Sequence, residues 1–379
     1  MKRVVILGAG TGGAMVANRL ARHLSTEIAA KEVQINMISD TESHIYQPGL
    51  LYVALGLAEP DSLFRKHERL LLPGVNLIHD PAVKIDMDSR SIKLNSGKSM
   101  EFDYLVLATG SHPDFDDIPG FREAAHTFYT YEEAMRTRRD LEEFKQGKLL
   151  MIIGVPHKCP VAPLEFMFMY DKLLRQRQER DNIELVYTYP LGRLHSLEPV
   201  AEWSEGAFET AGIAGETFFN PEEIDPKNKV VSTLEGDEVS YDFLAAIPPH
   251  KGAAVIRASG LGDPDGWLPT NKYTLQLEGH EGAYVVGDAA ALPISKAGST
   301  AHYESEVVVR NIVREIHGEK PMPLYDGKVY CFIEGGLQEA THITFDYNNP
   351  PKPSEPTEMV HWFKMAFNRM YWLSVRGLV

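Results

Sequence analysis

Residues 3–14 read Arg3-Val4-Val5-Ile6-Leu7-Gly8-Ala9-Gly10-Thr11-Gly12-Gly13-Ala14. A short apolar, β-rich run stops at a glycine cluster, and a helical pattern follows through Leu24. Gly8 permits a tight turn, Gly10 a close approach to the backbone and Gly13 close helix packing, leaving the helix N-terminus free to hold a pyrophosphate. A second strand over 33–38 leads to Ser39-Asp40, where a carboxylate can bind ribose hydroxyls, and the unit closes as βαβ. The interval from Gly13 to Asp40 is longer than usual for this motif, so an extended helix–strand connection is expected over 25–32.

Working outward, Phe102 to Gly110 is a buried strand ending in Ala108-Thr109-Gly110. The pattern then restarts with an apolar strand over 148–153, a turn over 154–159, and a helix over 160–180 with Pro160 at its opening, where proline is tolerated. A third strand falls at 184–189. After Pro248-Pro249 a loop rich in Gly and Pro runs to about residue 269, then come a strand at 283–286, Gly287-Asp288, a helix over 300–317 and a tail from Glu319. The expectation is an α/β protein with two Rossmann-like dinucleotide-binding domains. The first is built from 1–113 and 270–318, the second from 114–269, and 319–379 forms a C-terminal region.

At 379 residues two or three domains are the natural division. A formal net charge of -15 without a strong basic patch argues against nucleic-acid binding. Only four apolar residues separate Arg3 from Gly8, too few for a secretion signal, so the chain is expected to start inside the cell. Cys159 and Cys331 are the sole cysteines and suggest neither a zinc site nor a disulfide scaffold. They are either two inert core thiols or one redox couple.

The second glycine turn is broken. Where an NAD(P)H-binding lobe repeats Gly-x-Gly-x-x-Gly, this chain has Gly154-Val155-Pro156-His157-Lys158-Cys159. Proline lacks an N–H and adds bulk where a pyrophosphate must approach, so NADH binding here should be poor. Cys159 lands at or next to a helix N-cap, where the dipole and free N–H groups would lower a thiol from ~8.5 into the range of about 3.5 to 7.5. His157 and His195 are candidate proton carriers.

Phe102 to Gly110 and Gly282 to Ala290 resemble the Ala-Thr-Gly and Gly-Asp signatures of flavoproteins with two dinucleotide-binding domains. That likeness implies FAD, with Asp288 on its ribityl chain. With Cys159 replacing the last glycine of the second turn, Lys296-Ala297-Gly298 before a helix, and Cys331 followed by Phe332, the chain resembles the sulfide:quinone oxidoreductases and the related flavoprotein subunit of flavocytochrome c sulfide dehydrogenase over most of its length. The resemblance implies a non-covalent FAD site of Gly8, Ala9, Gly10, Gly12, Gly13, Ser39, Asp40, Val83, Ala108, Thr109, Gly110, Gly287, Asp288, Lys296, Ala297 and Gly298. It implies that Cys159 and Cys331 meet on one flavin face as a disulfide or sulfur-bridged pair. Sulfide would attack this pair, the released Cys331 thiolate would add to the flavin, and sulfane sulfur would leave as polysulfide or on an acceptor thiol. Lys296 is either a solvated loop lysine or a stabiliser of the reduced flavin. Tyr46, Pro48, Gly298 and Phe332 would line a quinone pocket on the opposite face. Many relatives carry a third cysteine where this chain has His126-Thr127-Phe128-Tyr129, which argues against a flavin link through cysteine.

Residues 358–378 form an amphipathic helix with Trp362, Phe363, Phe367, Met370, Tyr371 and Trp372 on one side and His361, Lys364, Asn368, Arg369 and Arg376 mostly on the other. Charges near its middle would cost about 2.5 to 3.5 kcal/mol each in a spanning helix. Two readings stay open. The helix either buries its aromatics against protein or lies in a membrane interface, basic face toward headgroups, and reduction of a membrane quinone favours the second. A peripheral membrane enzyme passing electrons from sulfide to quinone is therefore expected, with a homo-oligomer left open. The alternatives are a sulfide dehydrogenase donating to a cytochrome, a type-2 NADH:quinone oxidoreductase, and a flavin redox sensor without turnover.

Overall fold

The computed structural model describes residues 1–378; Val379, the last residue of the expected C-terminal region, lies outside them. The first lobe begins with β1 (Lys2–Leu7), α1 (Thr11–His23), β2 (Val33–Ser39), β3 (Ser43–Ile45), β4 (Val75–His79) and β5 (Tyr104–Leu107). The second contains β6 (Gly147–Ile153), α2 (Ala162–Gln176), β7 (Ile183–Thr188), β8 (Ala214–Glu216) and β9 (Phe243–Ile247). The chain then returns through β10 (Ala283–Val285) and α3 (Gly298–Ile316) and ends in β11 (Val329–Glu334), β12 (Ala340–Phe345) and α4 (Glu358–Val375).

Two parallel sheets result. The first has the order β10-β5-β1-β2-β4 and the second β8-β7-β6-β9. Their central strands have apolar cores because helices and loops cover both faces; Val4, Val5 and Ile6, and Leu149 to Ile153, have no exposed surface. Full burial of each such side chain contributes about 1.5–3 kcal/mol. The long Gly13–Asp40 interval is filled by a short helix, Ser25–Ala29.

The second-lobe helix starts at Ala162, two residues later than the sequence suggests, because Cys159 has φ +52 and the turn is not yet helical there. β11 and β12 form an antiparallel hairpin, and α4 follows with Thr357 as its cap, accepting from the Val360 N–H. This last helix packs across both α1 and the hairpin. No helix of the described residues is long and apolar enough to cross a membrane.

Candidate active site

The first glycine turn is held by contacts that only glycine allows. Gly8 has φ +106, and a Cβ there would sit 2.3 Å from the Ala108 carbonyl oxygen; one on Gly13 would sit 1.9 Å from the Gly8 oxygen. A Cβ on Gly10, by contrast, would meet nothing within 4 Å, so this side of the turn is open to a ligand. Gly10 caps α1 without a side-chain bond, which leaves the N–H groups of the first turn, including Gly12 and Gly13, for another acceptor. Ala9 is buried beside them. Ser39 ends β2, its hydroxyl donating to the Thr41 carbonyl at 2.9 Å, and Asp40 follows as an exposed carboxylate. Ala108, Thr109 and Gly110 follow β5 directly, and the buried hydroxyls of Thr109 and Ser111 have no partner. Val83 is 39% exposed on the strand Ala82–Asp86 of a small three-stranded sheet.

Gly287 (φ +76) and Asp288 make a tight turn after β10. The Gly287 N–H donates to the buried Glu304 carboxylate at 2.5 Å. Burial lifts Glu304 to about 8. Lys296 is not a solvated loop lysine: its ammonium donates to the Asp288 and Ala290 carbonyls at 2.9 and 2.6 Å and lies 4.3 Å from the Trp267 ring centroid. Burial lowers its pKa. Ala297 and Gly298 open α3, again without a side-chain cap.

Both cysteines converge on that opening. The Cys159 N–H donates to the Lys296 carbonyl at 2.8 Å, and the Cys331 thiol, on β11, bonds the Ser299 hydroxyl. Both thiols are free and partly buried. Burial pushes Cys159 up to about 12, with further contributions from Glu165 and Cys331; burial likewise pushes Cys331 up to about 12. The expectation of a lowered Cys159 thiol is therefore corrected. At φ +52, Cys159 lies three residues ahead of the helix, and removal from water outweighs any benefit from the dipole. His157 is half-buried, and His195 is fully buried, its Nδ1 accepting from the Leu197 N–H and its Nε2 without a protein partner. Burial, then His157, lowers His195 to about 4, so it is neutral near pH 7.

The polar residues of α4 do not form the outward basic face expected of them: Lys364 and His361 turn inward, Tyr371 is buried and Arg369 is exposed. Lys364 points inward, 7% exposed, paired with Glu165 of α2 and, at 3.7 Å, with Glu334 at the end of β11. His361 bonds the other Glu334 oxygen at 3.0 Å, and the Tyr52 hydroxyl donates to Glu334 at 2.8 Å. Although burial works against it, the Glu165 and Glu334 carboxylates hold the Lys364 ammonium above its usual value. The outward face is mostly apolar: Met359, Trp362, Phe363, Phe367, Met370 and Leu373 are exposed, with Glu358 and Arg369 among them. Sequence reasoning missed this buried charge cluster because its members come from three distant segments. It also missed Lys158, whose ammonium donates to Gln47 at 2.7 Å and lies 4.0 Å from Asp288.

Of the residues expected at a quinone pocket, Tyr46 donates to Asn368 of α4 at 2.6 Å and Phe332 packs on Phe367 with ring centroids 5.7 Å apart. Pro48 caps a short helix, Gly49–Ala54, next to Tyr46. Gly298 is exposed at the start of α3.

A family model described as pyridine nucleotide-disulphide oxidoreductase matches residues 2–308. The chain is 25% identical to the mitochondrial sulfide:quinone oxidoreductase of Mus musculus, over 99% of this chain and 86% of that protein. It is 26% identical to the sulfide-quinone reductase of Aquifex aeolicus (strain VF5), over 99% and 91%. The solved sulfide:quinone oxidoreductase structure from Aquifex aeolicus superposes with a TM-score of 0.88 at 23% identity, covering 100% of this chain and 92% of that one.

Proposed function

Because the chain belongs to the pyridine nucleotide-disulphide oxidoreductase family, we propose that it is a sulfide:quinone oxidoreductase, with FAD as cofactor and Cys159 and Cys331 as its redox pair. The observation that carries this reading is the convergence of both cysteines on the Lys296–Ser299 segment, Cys159 through its backbone N–H and Cys331 through its thiol, with the Lys296 ammonium bonded to the Asp288 carbonyl. The residues fit FAD. The open side of Gly10, the uncapped starts of α1 and α3, and the unpartnered Thr109 and Ser111 hydroxyls offer donors where a pyrophosphate and a flavin would need them. Bound FAD supplies the two-electron acceptor that links the cysteine pair to quinone.

In the oxidised pair, hydrosulfide attacks one sulfur of the Cys159–Cys331 disulfide. The old S–S bond breaks, a new one forms to the sulfide sulfur, and the other cysteine is released. A second thiol then takes the sulfane sulfur, leaving two electrons to pass on. A leaving thiol near 12 departs slowly unless a cation supports it. Lys364 lowers both thiols, but the Glu165 carboxylate paired with it raises them by more, so this support must come from elsewhere in the loaded site. The apolar outer face of α4, which includes Trp362, Phe363 and Phe367, would lie in the membrane interface, bringing Phe332 and Tyr46 toward quinone and making the enzyme peripheral.

Reduction by NADH is disfavoured by the second turn itself, where Pro156 offers no N–H and Cys159 stands in place of the last glycine. The test is anaerobic absorbance of the flavin-loaded protein. Sulfide should bleach the oxidised band and a soluble quinone should restore it, whereas Cys159→Ser and Cys331→Ser should slow bleaching at least ~10³-fold. Bleaching by NADH, with sulfide inert, would move the chain to the NADH dehydrogenases.

A further inference from the structure

The two residues that flank Gly10 are joined through side chains from elsewhere. His44, on β3 and 3% exposed, places Nδ1 3.1 Å from the Ala9 carbonyl and Nε2 2.5 Å from the Tyr371 hydroxyl. That hydroxyl is 2.8 Å from Thr11 Oγ1. Ala9, His44, Tyr371 and Thr11 thus form a closed ring around the glycine turn, and its proton arrangement follows from chemistry. A carbonyl only accepts, so Nδ1 carries the hydrogen. Burial lowers His44 to about 4, so the ring is neutral at pH 7 and Nε2 accepts. Tyr371 therefore donates to His44, and Thr11 donates to Tyr371. The Thr11 hydroxyl proton is committed to α4, so within α1 a pyrophosphate at this turn is met by backbone N–H groups and not by that hydroxyl. Two helical turns further along α1, the buried Asn18 fixes the same helix again, donating to the Val375 carbonyl at 2.8 Å and accepting from the Leu72 N–H at 2.7 Å.

We propose that His44 and Tyr371 are positioning residues of the pyrophosphate-binding turn, so that docking of α4 sets the affinity for FAD. The inference rests on the FAD part of the functional reading and not on sulfide as substrate. Tyr371→Phe removes one oxygen and keeps the ring packed between Tyr46 and Trp372. FAD affinity, titrated into the stripped full-length protein by fluorescence, should fall on the order of tenfold, about 1.4 kcal/mol. The two ³¹P resonances of the bound pyrophosphate should shift while the flavin absorption spectrum does not. His44→Ala should do the same, and the double variant should be no worse than the poorer single one, because the two act as one unit. If Tyr371→Phe lowers only the melting temperature, with FAD affinity and ³¹P shifts unchanged, the role is packing and the proposal is wrong. A wild-type protein that binds FAD yet ignores sulfide would overturn the substrate assignment and leave this test intact.

Discussion

Cys159 occupies a left-handed backbone position, φ +52, which an L-residue with a side chain adopts at a cost of order 1–3 kcal/mol. Glycine would relieve that strain, and the chain places a thiol there instead. The thiol is protonated at neutral pH because burial disfavours its charged form. The sign is testable on the reduced, flavin-free protein. Alkylation by iodoacetamide should be slow at pH 7 and climb about tenfold per pH unit, without levelling off below roughly pH 10. A plateau near pH 7 would restore the low-pKa thiolate that the helix N-terminus suggested. In sequence, Cys159 could be located but not its ionisation, which is set first by burial in the folded chain and then by the charges of nearby Glu165 and of Cys331, distant in sequence.

At the scale of elements, α4 shows why an amphipathic pattern does not tell which face turns inward. Both faces of this helix carry aromatic and polar residues, and the decision is made by partners outside it: Glu165 and Glu334 for Lys364, and His44 and Thr11 for Tyr371. Lys364→Met removes the ammonium and leaves two carboxylates facing each other in a buried space. It should cost about 3–5 kcal/mol in urea unfolding, and adding Glu165→Gln should recover part of that. A loss under ~1 kcal/mol would mean the cluster is solvated. The strand–glycine–helix units, by contrast, were legible, because each is encoded within some twenty consecutive residues whose apolar runs, glycines and caps agree.

Across the whole molecule, the second turn is tied to the first lobe by Lys158, which reaches Gln47 and Asp288, and by the Cys159 N–H, which donates to Lys296. The exposed, mostly apolar face of α4 is a property of the assembled protein, since it depends on Lys364, His361 and Tyr371 being turned inward. The full chain should sediment with anionic lipid vesicles, and Trp362→Ala combined with Phe363→Ala should weaken that association roughly tenfold or more without lowering the melting temperature. Binding unaffected by the pair would assign this face to another protein surface. The contact between Thr11 and Tyr371 spans 360 residues, nearly the entire chain. A ribosome adding about 5–20 residues per second needs roughly 20 to 70 s to cover that distance. The nucleotide turn therefore waits unlatched for that interval, and its tighter hold on FAD comes only once α4 has emerged and docked.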